Sequence, residues 1–205
     1  MTKTSRRVDK EEHILDCALN VFAAHGFRGS TLDQIAQEAG LSKPNLLYYF
    51  KGKEDIHRRL LSRLLENWLA PLHQLDAAGD PLAEIRGYIQ RKLEMARDYP
   101  RESRLFANEM LRGAPHVSEE LQDLRGLVDE KSAILKGWMD EGRMARVDPK
   151  HLIFSIWATT QHYADFDVQV RTVLGDEGKG DGRFHDAARF LDHLFIEGVS
   201  PPQQP

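Results

Sequence analysis

Between residues 31 and 53 the chain sets out Thr31, Ser42, Lys43, Asn45, Tyr48, Tyr49 and Lys53, a run of hydroxyl, ammonium, amide and phenol groups. No nucleophile is paired with a base among them, so they make a poor reaction centre. They make a good reading surface. Lysine donates to guanine, asparagine pairs bidentately with adenine, and tyrosine suits a phosphate or a thymine methyl. A helical hairpin whose polar residues are merely solvated carries the same spacing, and spacing alone does not separate the two readings.

Charge favours the first. The 205-residue chain has a net charge of −4, which suits a nucleic-acid binder badly, but the charge is uneven. Residues 1–60 carry ten Lys/Arg against eight Asp/Glu, and the remainder carries eighteen against twenty-four. Lys3, Arg6, Arg7 and Lys10 form one basic stretch; Lys43, Lys51, Lys53, Arg58 and Arg59 form a second. The local field, not the total, is what a polyanion meets.

Catalytic and metal chemistry find little support. There is no Gly-x-Ser-x-Gly, no paired-His zinc motif and no glycine-rich phosphate loop, so no enzyme, catalytic residue, metal or cofactor is expected. His162 and Asp165 are spaced to share a metal on one helix, but two side chains make an incomplete site. The 175–182 stretch GDEGKGDG lacks the EF-hand order of ligands and reads as a loop. Single Cys17 forms no internal disulfide, no apolar run approaches the ~18 residues of a membrane span, and the polar start is no signal peptide. The expectation is a cytoplasmic protein with no membrane partner.

The elements that must hold these groups are helices throughout, about nine of them by the recurrence of apolar residues at three and four. A first helix runs from Asp9 to His25, burying Ile14, Ala18, Val21 and Phe22 and ending at Gly26. Ser30 or Thr31 caps a second to Glu38. After a turn at Gly40-Leu41, Ser42 caps a third to Tyr49, with Pro44 tolerated in its first turn. Ile35, Ala36, Leu41, Leu46 and Leu47 are expected to pack the second and third together. A long fourth helix, Lys53 to Leu75, carries the stripe Ile56, Leu60, Leu64, Trp68 and Leu72. Further helices are expected over 81–98, 100–113, 118–141, 148–171 and 183–197. The expected division is a DNA-binding domain over 1–52, a ligand-binding and dimerisation domain over 53–199, and a loose tail, 200–205.

The run ALNVFAAHGFRGSTLDQIAQEAGLSKPNLLYYFKGKEDI, Ala18 to Ile56, resembles the DNA-binding domain of the TetR family of bacterial transcriptional regulators. Gly26-Phe27, Thr31, Leu47 to Phe50 and Lys53-Glu54 carry the likeness. The resemblance implies that Thr31, Tyr48 and Lys53 grip phosphates, that Lys43, Asn45 and Tyr49 face base edges beside the cap Ser42, and that Arg6 and Arg7 reach along the backbone or into the minor groove. It implies a homodimer on a palindromic double-stranded operator, because a palindrome needs two recognition helices. The apolar LIFSIWA run (152–158) and Phe190, Leu191, Leu194 and Phe195 are the expected dimer elements.

Behind that run stand Thr159, Thr160, Gln161, His162 and Tyr163; Arg104, Asn108 and Glu109 interrupt the apolar pattern of the sixth helix; Trp68, Trp138 and Trp157 offer flat walls. The expected effector contacts are Trp68, Arg104, Glu109, Trp157, Thr160, Gln161 and Tyr163. SKPNLLYYF (42–50), WLAPL (68–72), KLEMARDYPRESRLF (92–106), DEKSAI (129–134) and DPKHLIFSIWATTQHYADF (148–166) are similar to the family's regulators of pyrimidine utilisation. That likeness implies a repressor whose effector is uracil or thymine, with Gln161 matching an N–H and carbonyl edge. A TetR-type sensor of a hydrophobic or cationic compound, and a helical protein-binding module without DNA activity, are the competing readings.

Overall fold

The computed structural model describes residues 3–118, 120–175 and 180–201, with side chains from residue 7 onward. Among them are ten helices and no strand: α1 (Lys3–Gly29), α2 (Leu32–Glu38), α3 (Lys43–Tyr49), α4 (Lys53–His73), α5 (Pro81–Asp98), α6 (Pro100–Leu111), α7 (Glu120–Asp140), α8 (Pro149–Asp165), α9 (Asp167–Leu174) and α10 (Gly182–Val199). The side chains of Thr31, Ser42, Asp80 and Asp148 each cap a helix by accepting a hydrogen bond from a first-turn backbone N–H.

Two boundaries differ from expectation. α1 starts six residues early and continues in name to Gly29, but Gly26 (φ 67°, ψ 169°) breaks it. That backbone turn demands a residue without a Cβ. The single helix expected over 148–171 is two, because the chain departs from helical geometry at Phe166 (φ −113°, ψ 29°). Neither glycine nor proline marks that break.

The chain divides into two compact units, residues 1–66 with 104–118, and residues 67–103 with 119–205. The division falls inside α4 and α6 rather than at residue 52. In the first unit Ile14, Ala18, Phe22, Ile35, Ala36, Leu46, Phe50, Ile56 and Leu60 are buried. Arg63 of α4 donates to Asp16 of α1 at 2.8 Å, so the opening turns of α4 belong with α1.

In the second unit α5 packs against α8 and α10, and the core runs through Tyr88, Ile89, Leu93, Leu135, Trp138, Ile153, Ile156, Leu191 and Phe195. Buried Lys131 closes the end of α4 by donating to the carbonyls of His73 (3.1 Å) and Leu75 (3.4 Å), where a cation complements the helix C-terminus. Trp138 Nε1 donates to Ala77 O at 3.0 Å, which makes this tryptophan a core residue rather than a ligand wall. No helix among the described residues is long and apolar enough to cross a membrane.

Candidate nucleic-acid interface and effector site

α2 and α3 owe their relative placement to two caps and one turn. Thr31 accepts from Gln34 N–H (3.2 Å) while the Gln34 side chain accepts from Thr31 N–H (2.8 Å), a reciprocal box that fixes the start of α2. Gly40, at φ 63°, turns the chain. Ser42 then accepts from Asn45 N–H at 3.4 Å to start α3. Leu46 is the fully buried anchor of α3. The opposite face exposes Ser42, Lys43, Asn45 and Tyr48, with Tyr49 half-buried and its ring edge-on to Tyr48 at 5.1 Å.

Leu47 was expected between the helices; it is 43% exposed and stands with the polar face. The reason is the helical period: a seven-residue helix anchored through Leu46 turns its next position outward. An apolar side chain there suits a thymine methyl. Arg7 pairs with Glu11 at 3.0 Å and lies 5.8 Å from the Tyr48 ring, so α1 extends the α3 surface. The side chain of Arg6 lies outside the described residues.

Two lysines are already engaged. Lys43 pairs with Asp33 of α2 at 2.9 Å. Lys53 donates to the carbonyls of Ser30 (2.8 Å) and Phe27 (2.9 Å) and sits 4.5 Å over the Phe27 ring. Two of its three protons tie the start of α4 to the residues that open α2.

The second unit hides a buried set of donors that sequence reading only partly found. Lys92 of α5 is 1% exposed, although a lysine in an amphipathic helix normally faces water. Its ammonium makes one long bond, 3.4 Å, to Trp68 O and lies 4.5 Å over the Trp68 ring. Burial pushes the Lys92 pKa down to about 7, against the opposing pull of Asp165. Trp68 Nε1 is buried without a hydrogen-bond partner. One turn before Lys92, Tyr88 accepts from Trp157 Nε1 of α8, and burial raises its pKa so that it keeps its own proton. Ser103 donates to Asp165 at 2.5 Å. The only signal for Lys92 in the sequence was its register, one turn from Tyr88 and from Ala96 among core positions.

The expected effector residues fall into two groups. Trp68, Trp157, Thr160, Gln161 and Tyr163 are in the second unit, with Gln161 half-buried one turn beyond Trp157. Buried Thr160 bonds back to Ile156 O at 2.7 Å, a self-satisfied helix hydroxyl that offers less to a ligand than expected. Tyr163 packs on Phe184. Arg104 and Glu109 belong to the first unit instead: Arg104 is exposed, and buried Glu109 accepts from His116. Polar interruptions of an amphipathic helix do not say which neighbour they meet. His162 stacks on Phe166 rather than joining Asp165. A separate cavity of about 310 Å³ lies between α5 and α10, lined by Arg86, Leu93, Arg97, Phe184 and Asp192 among others.

Residues 14–60 match the family model of bacterial regulatory proteins of the tetR family, and residues 61–202 match that of the C-terminal region of YcdC-like proteins. The chain belongs to the TetR family. It is 49% identical over 201 residues, 97% of this chain and 95% of the other, to the HTH-type transcriptional regulator RutR of Escherichia coli. Among solved structures, the ketosteroid transcriptional regulator KstR2 of Mycobacterium tuberculosis shares the fold with a TM-score of 0.71 at 20% identity, covering 98% of this chain and 97% of that one. AibR, solved with isovaleryl coenzyme A and operator DNA, shares it with a TM-score of 0.69 at 14% identity, covering 90% and 97%. This TetR-family regulator is a DNA-binding transcription factor and not an enzyme, with operator DNA, a small-molecule effector and a second copy of itself as partners.

Proposed function

We propose that this regulator is a cytoplasmic repressor of pyrimidine catabolism genes that senses free uracil or thymine in its second unit. The observation that carries the reading is the pair of under-used buried donors, Trp68 Nε1 and the Lys92 ammonium, set against one another. Buried donors without acceptors are unfavourable, and a ligand rich in acceptors relieves them. A pyrimidinedione presents two carbonyls flanking an N–H. The carbonyls suit Lys92 and Trp68, the N–H and its neighbour suit the Gln161 amide, and the Trp68 or Trp157 face covers the ring. Contacts of α5 with α8 through Tyr88 and Trp157, and the pull of Asp165 on Lys92, support a position for Gln161 level with the ammonium. Tyr163 borders this set, and Arg104 and Glu109 drop out of it. Uracil's roughly eight heavy atoms allow at most ~12 kcal/mol of binding, and micromolar affinity needs ~8, so a nutrient sensor is feasible.

On DNA, Lys43, Asn45, Leu47 and Tyr49 read bases, while Arg6, Arg7, Thr31, Ser42, Tyr48 and the remaining proton of Lys53 hold phosphates. The exposed apolar residues Phe154 of α8 and Phe190 and Leu194 of α10 form the dimer face. Trp68, which meets Lys92, lies on α4, the helix that opens beside the DNA elements at Lys53; a ligand at Trp68 acts on DNA affinity through α4. Ligand and operator then oppose one another reciprocally. The test is a titration with uracil followed by tryptophan fluorescence and by release of a palindromic promoter fragment. Saturable binding with release supports the reading. DNA binding that is indifferent to uracil and thymine overturns it.

A further inference from the structure

Among the described residues, one cluster brings together three side chains able to ligate a metal: His57 of α4, Glu109 of α6 and His116 just beyond α6, one donor atom from each lying within 4.8 Å of the others. All three belong to the first unit, apart from the proposed effector site. His57 and Glu109 are each 2% exposed, whereas His116 is half-buried and leaves an approach from solvent. The Glu109 carboxylate accepts from His116 N–H at 2.8 Å and lies 3.0 Å from its Nδ1. The His57 ring is enclosed by Phe22, Phe27 and His116, with centroids at 5.0, 4.5 and 4.8 Å.

Aromatic packing accounts for the position of that ring but not for its nitrogen. His57 Nδ1 is sealed from solvent and has no hydrogen-bond partner. A histidine placed only for packing would be expected to satisfy both nitrogens or show one to water.

We infer that His57, Glu109 and His116 bind a transition-metal dication of the zinc class. Two imidazoles and a carboxylate are a zinc donor set, and three protein ligands leave a fourth position for water. Tetrahedral zinc holds its donors roughly 3.4 Å apart, so binding needs the longest separation, at most 4.8 Å, to close by up to about 1.4 Å. Calcium and magnesium, which take oxygen ligands, are a poor match. The bound ion fastens residues 104–118 to α4 within the DNA-binding unit.

The experiment uses the tag-free, full-length protein stripped with a chelator. Zinc is titrated in competition with a chromophoric chelator, and cobalt(II) is added separately to read coordination from its visible bands. The expected result is one zinc per chain and the intense bands of tetrahedral cobalt. His116→Ala and Glu109→Gln should each weaken zinc at least about a hundredfold, since loss of outer-shell partners alone costs ten- to hundredfold. Circular dichroism checks that both variants fold. Should either unfold, the cobalt spectrum of the unaltered protein decides: tetrahedral nitrogen and oxygen bands uphold the site. The pale spectrum of octahedral cobalt overturns it. So does a thiolate charge-transfer band, which would place the metal at Cys17 beside His13, and so does unchanged stoichiometry in the folded variants.

Discussion

Replacing Lys92 with methionine keeps an unbranched stem and removes the buried charge, and the structure gives the size of the effect. A fall in pKa from 10.5 to about 7 means that holding the ammonium inside the protein costs about 5 kcal/mol, at ~1.4 kcal/mol per unit. Below pH 7 folded and unfolded chains both carry the proton and the whole cost is felt. Between pH 7 and 10.5 the unfolded chain holds more protons than the folded one, so stability rises with pH. From pH 6 to pH 9 the lysine's unfavourable contribution therefore shrinks by about 2–3 kcal/mol. Lys92→Met abolishes that dependence. The free variant should be the more stable protein at pH 6, with its advantage reduced by the lost bond to Trp68 O. The difference between the two proteins should narrow by about 2–3 kcal/mol by pH 9, whatever the methionine does to packing, because packing does not titrate. Urea unfolding at fixed protomer concentration across that range measures it. A difference constant from pH 6 to 9 would show that Lys92 is not a buried, reluctant cation, and the effector reading would lose its main support. The same variant should lose uracil binding while keeping its grip on DNA.

Asn45→Ala should cut the preference for operator over random DNA by about 1–3 kcal/mol, as loss of one bidentate base contact does, whereas Lys53→Ala should weaken both alike and lower the melting temperature. Electrophoretic titrations against operator and scrambled duplexes distinguish them; an equal loss on both duplexes in Asn45→Ala refutes its role. Phe190→Glu places a charge on the exposed apolar face of α10 and should convert the dimer to monomer in analytical ultracentrifugation, with loss of operator binding. A variant that stays dimeric would move the interface elsewhere.

The DNA-reading half was legible in the sequence because its signals are local. Thr31, Ser42, Gly26 and Gly40 act through their own backbone geometry, and the α4 stripe from Ile56 to Leu72 is buried as its period requires. Leu47 is exposed despite its apolar character, because a helix of seven residues is too short for its period to separate the buried face from the exposed one. The break at Phe166 carried no glycine or proline and depends on packing alone. The effector half was harder. Lys92 is hidden by its type, since lysine in an amphipathic helix is normally exposed, and only its register betrays it. Glu109 and Arg104 interrupt α6 in the right chemistry for a ligand, but the neighbour that claims Glu109 is His116, seven residues on around a turn. Buried polar residues report that a partner exists without naming it.

The return of residues 104–118 to the first unit bears on how such regulators are recombined. A DNA-reading head cut out as one continuous stretch, even one extended to Glu66, would carry His57 away from Glu109 and His116 and open the ring packing of Phe27 against His116. Chimeras that exchange heads between relatives should therefore transplant two segments, or choose hosts whose own 104–118 equivalent fits the incoming α4. The DNA-binding unit of this chain is spliced from two segments, and the second lies outside the helix-turn-helix.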